Sequence, residues 1–453
     1  MTGQARLMRV LGPTTAYLVG LGVAIGSGIF RTPALVAQEL GSPAWMLGAW
    51  AFGGLFVFLS GMVSAELATR FPEAGGEYVY LREAYGEFVA FFFGWGYSVF
   101  IIGGGAATIA AAAGEAAAEL LAVDPAWAKP LAAASVVAVV GVNALGVKAG
   151  AGLQNVLTAI KILALVGVVG AALALGEAST DWGRPLVLPE GRSLVAVLVA
   201  ALPPVLWAYE GTTDAVKLAE EVEDPQRALP RALLGSALTL TVLYVGANVA
   251  YLLVLTPDQM AGSRFAANDV MATLFGEVGR RLMTALSLVV FLGALSATVL
   301  ATVRVTFALA RDGLTFPIMA RMSKHQAPVP ALVAVGGIAA LFTLARGFQQ
   351  ILNIYFLAAA ILFGLAYGSL IVFRRRDAVQ GRVQGVFRCP AGPVVATALI
   401  LLQLAMASLI VVHSPMDSLY TLLLLAAVAG LYVVWRRSGL GGAAASARRG
   451  RSA

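Results

Sequence analysis

The stretch VGLGVAIGSGIFRTPALVAQ, residues 19–38, is apolar enough to enter a lipid bilayer, yet it carries Gly20, Gly22, Gly26 and Gly28, with Ser27 between the last two. Glycine costs a helix interior about 1 kcal/mol relative to alanine, so a membrane helix weakened at its own midpoint needs a physical reason. Within the hydrocarbon, unwound backbone survives only where it lines a cavity or is buried in protein. A single glycine-rich span can equally be a packing device, because small residues let membrane helices approach closely. A second span broken at the matching place decides between the two readings.

Composition sets the class. The chain has 453 residues, 59% hydrophobic and 12% charged, with mean hydropathy +0.85. Soluble chains are roughly 25% charged, so this is a polytopic membrane protein. The apolar segment following MTGQARLMRVLGPTTAYL reads as the first span, being too long for a signal peptide. The one cysteine, Cys389, excludes an internal disulfide and a cysteine metal cage. The net charge of +7 points to basic loops beside the membrane rather than to nucleic acid.

A membrane span needs roughly 20 apolar residues. The charged and Pro/Gly-rich breaks predict twelve: 14–39, 43–69, 87–122, 127–145, 150–175, 193–219, 231–254, 280–308, 329–345, 349–373, 392–412 and 415–435. Residues 255–279 are too polar to span and read as a structured loop. With the N-terminus inside, 22 Lys and Arg fall on the cytoplasmic side, 8 outside, and one, Lys161, within a span. That bias places both termini in the cytoplasm of a cell whose inner membrane the chain crosses. One transmembrane domain, 1–435, then comprises a first five-span set (14–175), a second (193–373) and two last spans (392–435). Residues 436–453 read as a disordered cytoplasmic tail, basic enough to meet anionic lipid.

The second break lies in span six, ALPPVLWAYEGTTDAVKLAEE. Pro203 and Pro204 disturb its first half, and YEGTT (209–213) puts Gly211 among polar residues at mid-span. Spans one and six open the two five-span sets, and paired breaks at corresponding positions point to a transporter site built on inverted repeats. The free N–H groups at a half-helix start hold a carboxylate, aided by the helix dipole, while unwound carbonyls hold an ammonium group. Together they match the two ends of an amino acid.

Four stretches carry a resemblance: GSGIF with Arg31 to Pro33 behind it, FPEAGGEYVYLREAYGEFVAFFFGW (71–95), WAYEGTTDAVKLAEEVEDPQRALPRAL (207–233) and FALARDG (307–313). In these the chain resembles the amino acid–polyamine–organocation superfamily, and most of all its L-type amino acid transporter branch and the bacterial serine/threonine exchangers. The resemblance implies an all-α membrane protein of twelve transmembrane helices. Its fold would be the five-plus-five inverted repeat of the leucine transporter, with helices one and six unwound at mid-span. It further implies that Ser27, Gly28 and Ile29 offer N–H groups to the substrate carboxylate. The carbonyls of Ala24, Ile25, Trp207 and Glu210 would receive the α-ammonium, with Trp207 and Tyr209 bordering the side-chain pocket beside Gly211. Many L-type relatives have an aromatic lid directly after that glycine, where this chain has Thr212.

Lys161 sits in NVLTAIKILALVG, too deep for easy snorkelling, and a lysine at bilayer depth is a functional candidate. By the resemblance, its ammonium stands where sodium-coupled relatives bind Na⁺, bridging span-one carbonyls to span eight, where Ser296 and Thr298 supply hydroxyls. Glu210 lies at the break and faces a wet cavity, charged or neutral. Glu66 is expected to pair with a loop arginine; the resemblance implies that the acidic run in AEEVEDPQRALPRAL (219–233) helps close an inner gate through salt bridges to basic loops. His325 and His413 are single and give no metal spacing.

These readings predict a sodium-independent secondary transporter that exchanges neutral L-amino acids, without a cofactor, as a monomer or homodimer. Its partners are the small-molecule amino acid and the lipid bilayer. A proton-coupled amino acid or polyamine symporter, coupled through Glu210 or Lys161, is the alternative within the class. An intramembrane enzyme lacks support: there is no H-E-x-x-H, phosphate loop or nucleophile elbow. A sensor or channel lacks an appended soluble domain or a repeated charged ring.

Overall fold

The computed structural model describes Arg9 and residues 11–145, 147–177, 180–324, 327–381 and 383–438, the side chains of 147–155 excepted. Every named element among them is helical. The first expected span is two helices, α1 (Pro13–Ala24) and α2 (Ser27–Leu40), bent by 44° across their break. Next come α3 (Pro43–Arg70) and the short α4 (Glu77–Tyr85). The third span runs as α5 (Glu87–Gly96), a π-helical segment Tyr97–Gly104 and α6 (Gly105–Leu120), followed by α7 (Ala128–Ala144) and α8 (Val147–Leu175).

The second half begins with α9 (Leu194–Tyr209), which ends in an irregular stretch and a 3₁₀ turn, Asp214–Glu221. It continues through α10 (Pro225–Val254), α11 (Pro257–Ala261), α12 (Ala266–Arg311, kinked at Gly276), α13 (Val329–Ala345) and α14 (Phe348–Gln380). The chain closes with α15 (Gly392–His413) and α16 (Pro415–Arg437). Among the described residues, ten helical runs are long and apolar enough to cross a membrane, and α1 with α2 make an eleventh. At 17 residues α13 is shorter, about 26 Å long against a hydrocarbon core of ~30 Å. The third span and α12 are the most enclosed, whereas α7, α15 and α16 form the periphery. The chain is a multi-pass membrane protein.

Several sequence expectations change. Residues 255–279 are largely helical rather than a loop. Thr256 and Gln259 form a capping box that starts α11, and Ala266 onward joins α12. Pro203 and Pro204 lie inside α9 without ending it; the break comes at Glu210. Helix α10 starts six residues before the expected 231, since Pro225 is well placed in a first helical turn. Helix α16 continues through Arg436 and Arg437, and the rest of the expected tail, 439–453, lies outside the described residues, as does His325.

Glu66 does pair with an arginine, but on a helix. Arg374 of α14 donates to its carboxylate at 2.6 Å, and the Cys389 backbone N–H adds 2.7 Å. These bonds pin the 381–391 connection under α3. Burial, then the negative Glu66, push the Cys389 thiol up to about 11, and the residue is 1% exposed. Thiolate is therefore scarce at neutral pH. Maleimide is expected to leave Cys389 unlabelled in mild detergent at pH 7.5 and to label it in denaturant. Glu66→Ala leaves Arg374 buried without its carboxylate partner, at a cost of about 3–5 kcal/mol, and should make labelling fast in mild detergent as well.

Candidate functional site

The two broken spans meet at their breaks. Gly211 has φ +93°, and a Cβ there would stand 2.3 Å from Val23 Cγ1 of α1, so both its backbone and its surroundings require glycine. Gly28 serves contact: a Cβ would lie 2.3 Å from Ala208 Cα, so α2 and α9 touch backbone to backbone. The packing reading and the unwinding reading both hold, at different glycines.

A cavity opens between the breaks. Ser27, Gly28, Trp207, Glu210, Thr298 and Tyr355 line it, with Ala24 and Gly211 at the breaks themselves. Ser27 and Gly28 start α2, where the first N–H groups of a helix have no partner within it. The Trp207 indole N–H reaches Ser27 Oγ at 3.4 Å, and its ring meets Tyr355 edge-on at 5.2 Å between centroids. The Thr298 hydroxyl is buried without a hydrogen-bond partner among the described residues. Ile25 and Ile29 turn into the core, fully buried.

The carbonyls freed at the end of α1 are claimed from two helices. Lys161 of α8, fully buried, donates to the Gly22 carbonyl at 2.6 Å, and the Tyr244 hydroxyl of α10 donates to Ala24 at 2.9 Å. The lysine stem passes α12 at Gly293, where a Cβ would stand 2.9 Å from Lys161 Cε. Of the two expected span-eight hydroxyls, Ser296 is held by Asn143 at 3.1 Å, while Thr298 faces the cavity.

Tyr209 and Thr212 lie on the other side of the span-six break. The Tyr209 hydroxyl donates to the Trp50 carbonyl at 2.9 Å, and the Thr212 hydroxyl donates to the Tyr209 carbonyl at 2.5 Å. Both line a second cavity, which shares Glu210 and Gly211 with the first.

Ion pairs stand on both sides of the breaks. Leu11 N–H donates to Glu221 O at 2.9 Å, so the start of α1 and the end of the 3₁₀ turn share one membrane face. There Glu221 pairs with Arg304 at 3.1 Å, Glu220 with Arg311 at 3.3 Å, and Asp312 with Arg82 at 2.6 Å. The expected acidic run thus meets the arginines of α12 rather than basic loops. Toward the opposite face Arg31 pairs with Glu115, its guanidinium 4.1 Å from the centre of the Phe348 ring.

Tyr244, Asn143 and Tyr355 carried no sequence signal, each being one polar residue on an apolar helix. Asp214 did carry one: like Lys161 it is ionisable within an expected span, and it lines the first cavity.

Two interrupted spans meeting around one cavity within a bundle of apolar helices are the architecture of a membrane transporter. The sequence model of the amino acid permease family matches residues 11–434, and the chain belongs to that family. It is 28% identical over 401 residues to the serine/threonine exchanger SteT of Bacillus subtilis, covering 86% of this chain and 89% of that one. Against the b(0,+)-type amino acid transporter 1 it is 30% identical over 383 residues to the human protein, covering 81% and 76%. It is 29% identical over 385 residues to the mouse protein, covering 82% and 77%.

Gly211→Ala should destabilise the protein by more than about 1 kcal/mol, because alanine at positive φ is strained. Gly430→Ala, on α16 with no atom within 4 Å of the new methyl, should stabilise by about 0.5–1 kcal/mol. Thermal unfolding in detergent reads both, and equal shifts would contradict the geometry.

Proposed function

We propose that this permease is a sodium-independent exchanger of neutral L-amino acids, working by alternating access. In this reading twelve spans form a five-plus-five inverted repeat with both termini cytoplasmic. The bond from Lys161 to the Gly22 carbonyl carries the proposal. A fixed ammonium claims a carbonyl that the break releases, so no metal cation is needed to hold the broken helix. The packing supports the repeat: α2 lies on α9, α3 on α10, α6 on α12 and α7 on α13, each on its counterpart five spans later. The substrate carboxylate then sits at the N–H groups of Ser27, Gly28 and Ile29. Its ammonium goes to the carbonyls of Ala24, Ile25, Trp207 and Glu210, and its side chain lies toward Trp207 and Thr298. The ion pairs on the two faces act as alternating gates.

Glu210 favours a second reading, because its carboxylate lines the cavity and suits a cationic side chain. Exchange of radiolabelled neutral amino acids in proteoliposomes is expected to persist in sodium-free buffer, and its loss there would overturn the lysine's role. The amide of the best substrate should compete poorly, since it has no carboxylate for the helix start. Lys161→Ala should insert normally but lose at least about tenfold in affinity or turnover, because a buried carbonyl is left unpaired. If cationic amino acids are carried instead, Glu210→Gln should abolish their exchange and spare that of neutral ones.

A further inference from the structure

Lys217, on the 3₁₀ turn after the span-six break, bonds through Nζ to the Asp214 carboxylate. The same Nζ stands 3.7 Å from Glu77 Oε1 of α4, beyond hydrogen-bond length. Glu77 Oε2 has no hydrogen-bond partner among the described residues, and the three side chains are at most 6% exposed. The other titratable groups around Glu77 are Glu210, Tyr80 of α4, Tyr97 of the π-helical segment and Tyr367 of α14, and none of these is a cation. Arg304 and Arg311 of α12 are held by Glu221 and Glu220, and Arg82 of α4 by Asp312. Glu77, Asp214 and Glu210 thus share one ammonium. Asp214 is bonded to it and Glu210 is only half-buried, which leaves Glu77 the least compensated. A buried carboxylate without a cation of its own takes up a proton rather than stay charged. Burial pushes the Glu77 carboxyl up; Lys217 opposes this and Asp214 adds to it.

We propose that Glu77, Asp214 and Lys217 form a proton-binding site, with Glu77 holding the proton on Oε2 while Asp214 keeps the ammonium. Binding forms one O–H bond with a proton taken from water, and release returns that proton to water. An inorganic cation is the poorer occupant, because the ammonium already stands between the two carboxylates. The site joins two separate segments: Glu77 starts α4, whereas Asp214 and Lys217 follow the span-six break, and Asp214 also lines the first cavity. When the turn leaves α4, water reaches Glu77, its charged form is no longer penalised, and the proton is given up. Acid therefore favours the arrangement described, and opening it releases a proton. This inference does not rest on the exchange proposal, and it places the proton on neither Glu210 nor Lys161.

Infrared spectroscopy of the purified protein in mild detergent reads a protonated carboxyl directly, by its C=O stretch and the shift of that band in D₂O. At pH 7 a band is expected that Glu77→Gln, which keeps the shape of the protonated side chain, removes. Asp214→Asn leaves Lys217 to Glu77 alone, so the midpoint of the same band should fall by about 1–3 pH units. Stability gives a second readout. An unfolded glutamate loses its proton near pH 4.3, while native Glu77 keeps it. From there up to the native midpoint, the unfolding constant of the wild type relative to Glu77→Gln should rise about tenfold per pH unit, and then level off. L-Alanine exchange in proteoliposomes should vary with pH in the wild type and lose that dependence in Glu77→Gln. If no neutral amino acid is exchanged at all, the exchange proposal falls, and the infrared band still decides this one. A band that survives Glu77→Gln, a midpoint unmoved by Asp214→Asn, or unfolding equally pH-dependent without Glu77 would each overturn the site.

Discussion

Two carbonyl oxygens, those of Gly22 and Ala24, govern how this protein is put together. They end α1 where no next helical turn can bond them, at a depth where water is scarce. An unsatisfied polar group there costs roughly 2–7 kcal/mol. Lys161 from α8 and Tyr244 from α10 take one each, so the position of α1 is set by two helices from opposite halves of the chain. The other broken span resolves part of the same problem locally, where the Thr212 hydroxyl turns back onto Tyr209 O. The contact of Gly28 with Ala208 then holds the two broken spans together, and the cavities are the space that remains around them.

Charge is distributed to suit that arrangement. Among the described residues, the polar lining of the first cavity is mostly hydroxyls, an indole and open backbone, with Glu210 and Asp214 its carboxylates. Arginine–carboxylate pairs stand away from it toward either face, tying α3 to α14, α4 to the end of α12, and α2 to α6. Such pairs add little net stability when partly buried, but their partners are demanding in geometry. Once a pair has formed, each side chain therefore needs its partner, because losing one leaves an uncompensated charge.

Much of this was legible in the residues. Gly26 and Gly211 marked the breaks because two spans were interrupted at matching places, Gly28 marked a close contact, and Lys161 stood out because charge at that depth is rare. Pro203 and Pro204 misled, since within a membrane helix neighbouring groups can satisfy what a proline frees. The polar stretch 255–279 misled in the opposite sense: exclusion from the membrane says nothing against helix. Tyr244 and Asn143 were illegible, because what singles them out is the carbonyl or hydroxyl they face across the fold. The second cavity was equally hidden, being assembled from five separate segments.

The π-helical segment Tyr97–Gly104 shapes the first cavity in a way that loop and break do not. Tyr97, Ile101, Gly105 and Ile109 all face it, at a spacing of four. In a regular α-helix each step of four residues overshoots a full turn by about 40°, so three steps would carry the row about 120° around the axis. A π turn is wider and winds back where the α turn winds forward, so the two kinds of step offset each other. The third span thus acts as a straight rule laid along the cavity, one uninterrupted edge against which two interrupted helices are aligned.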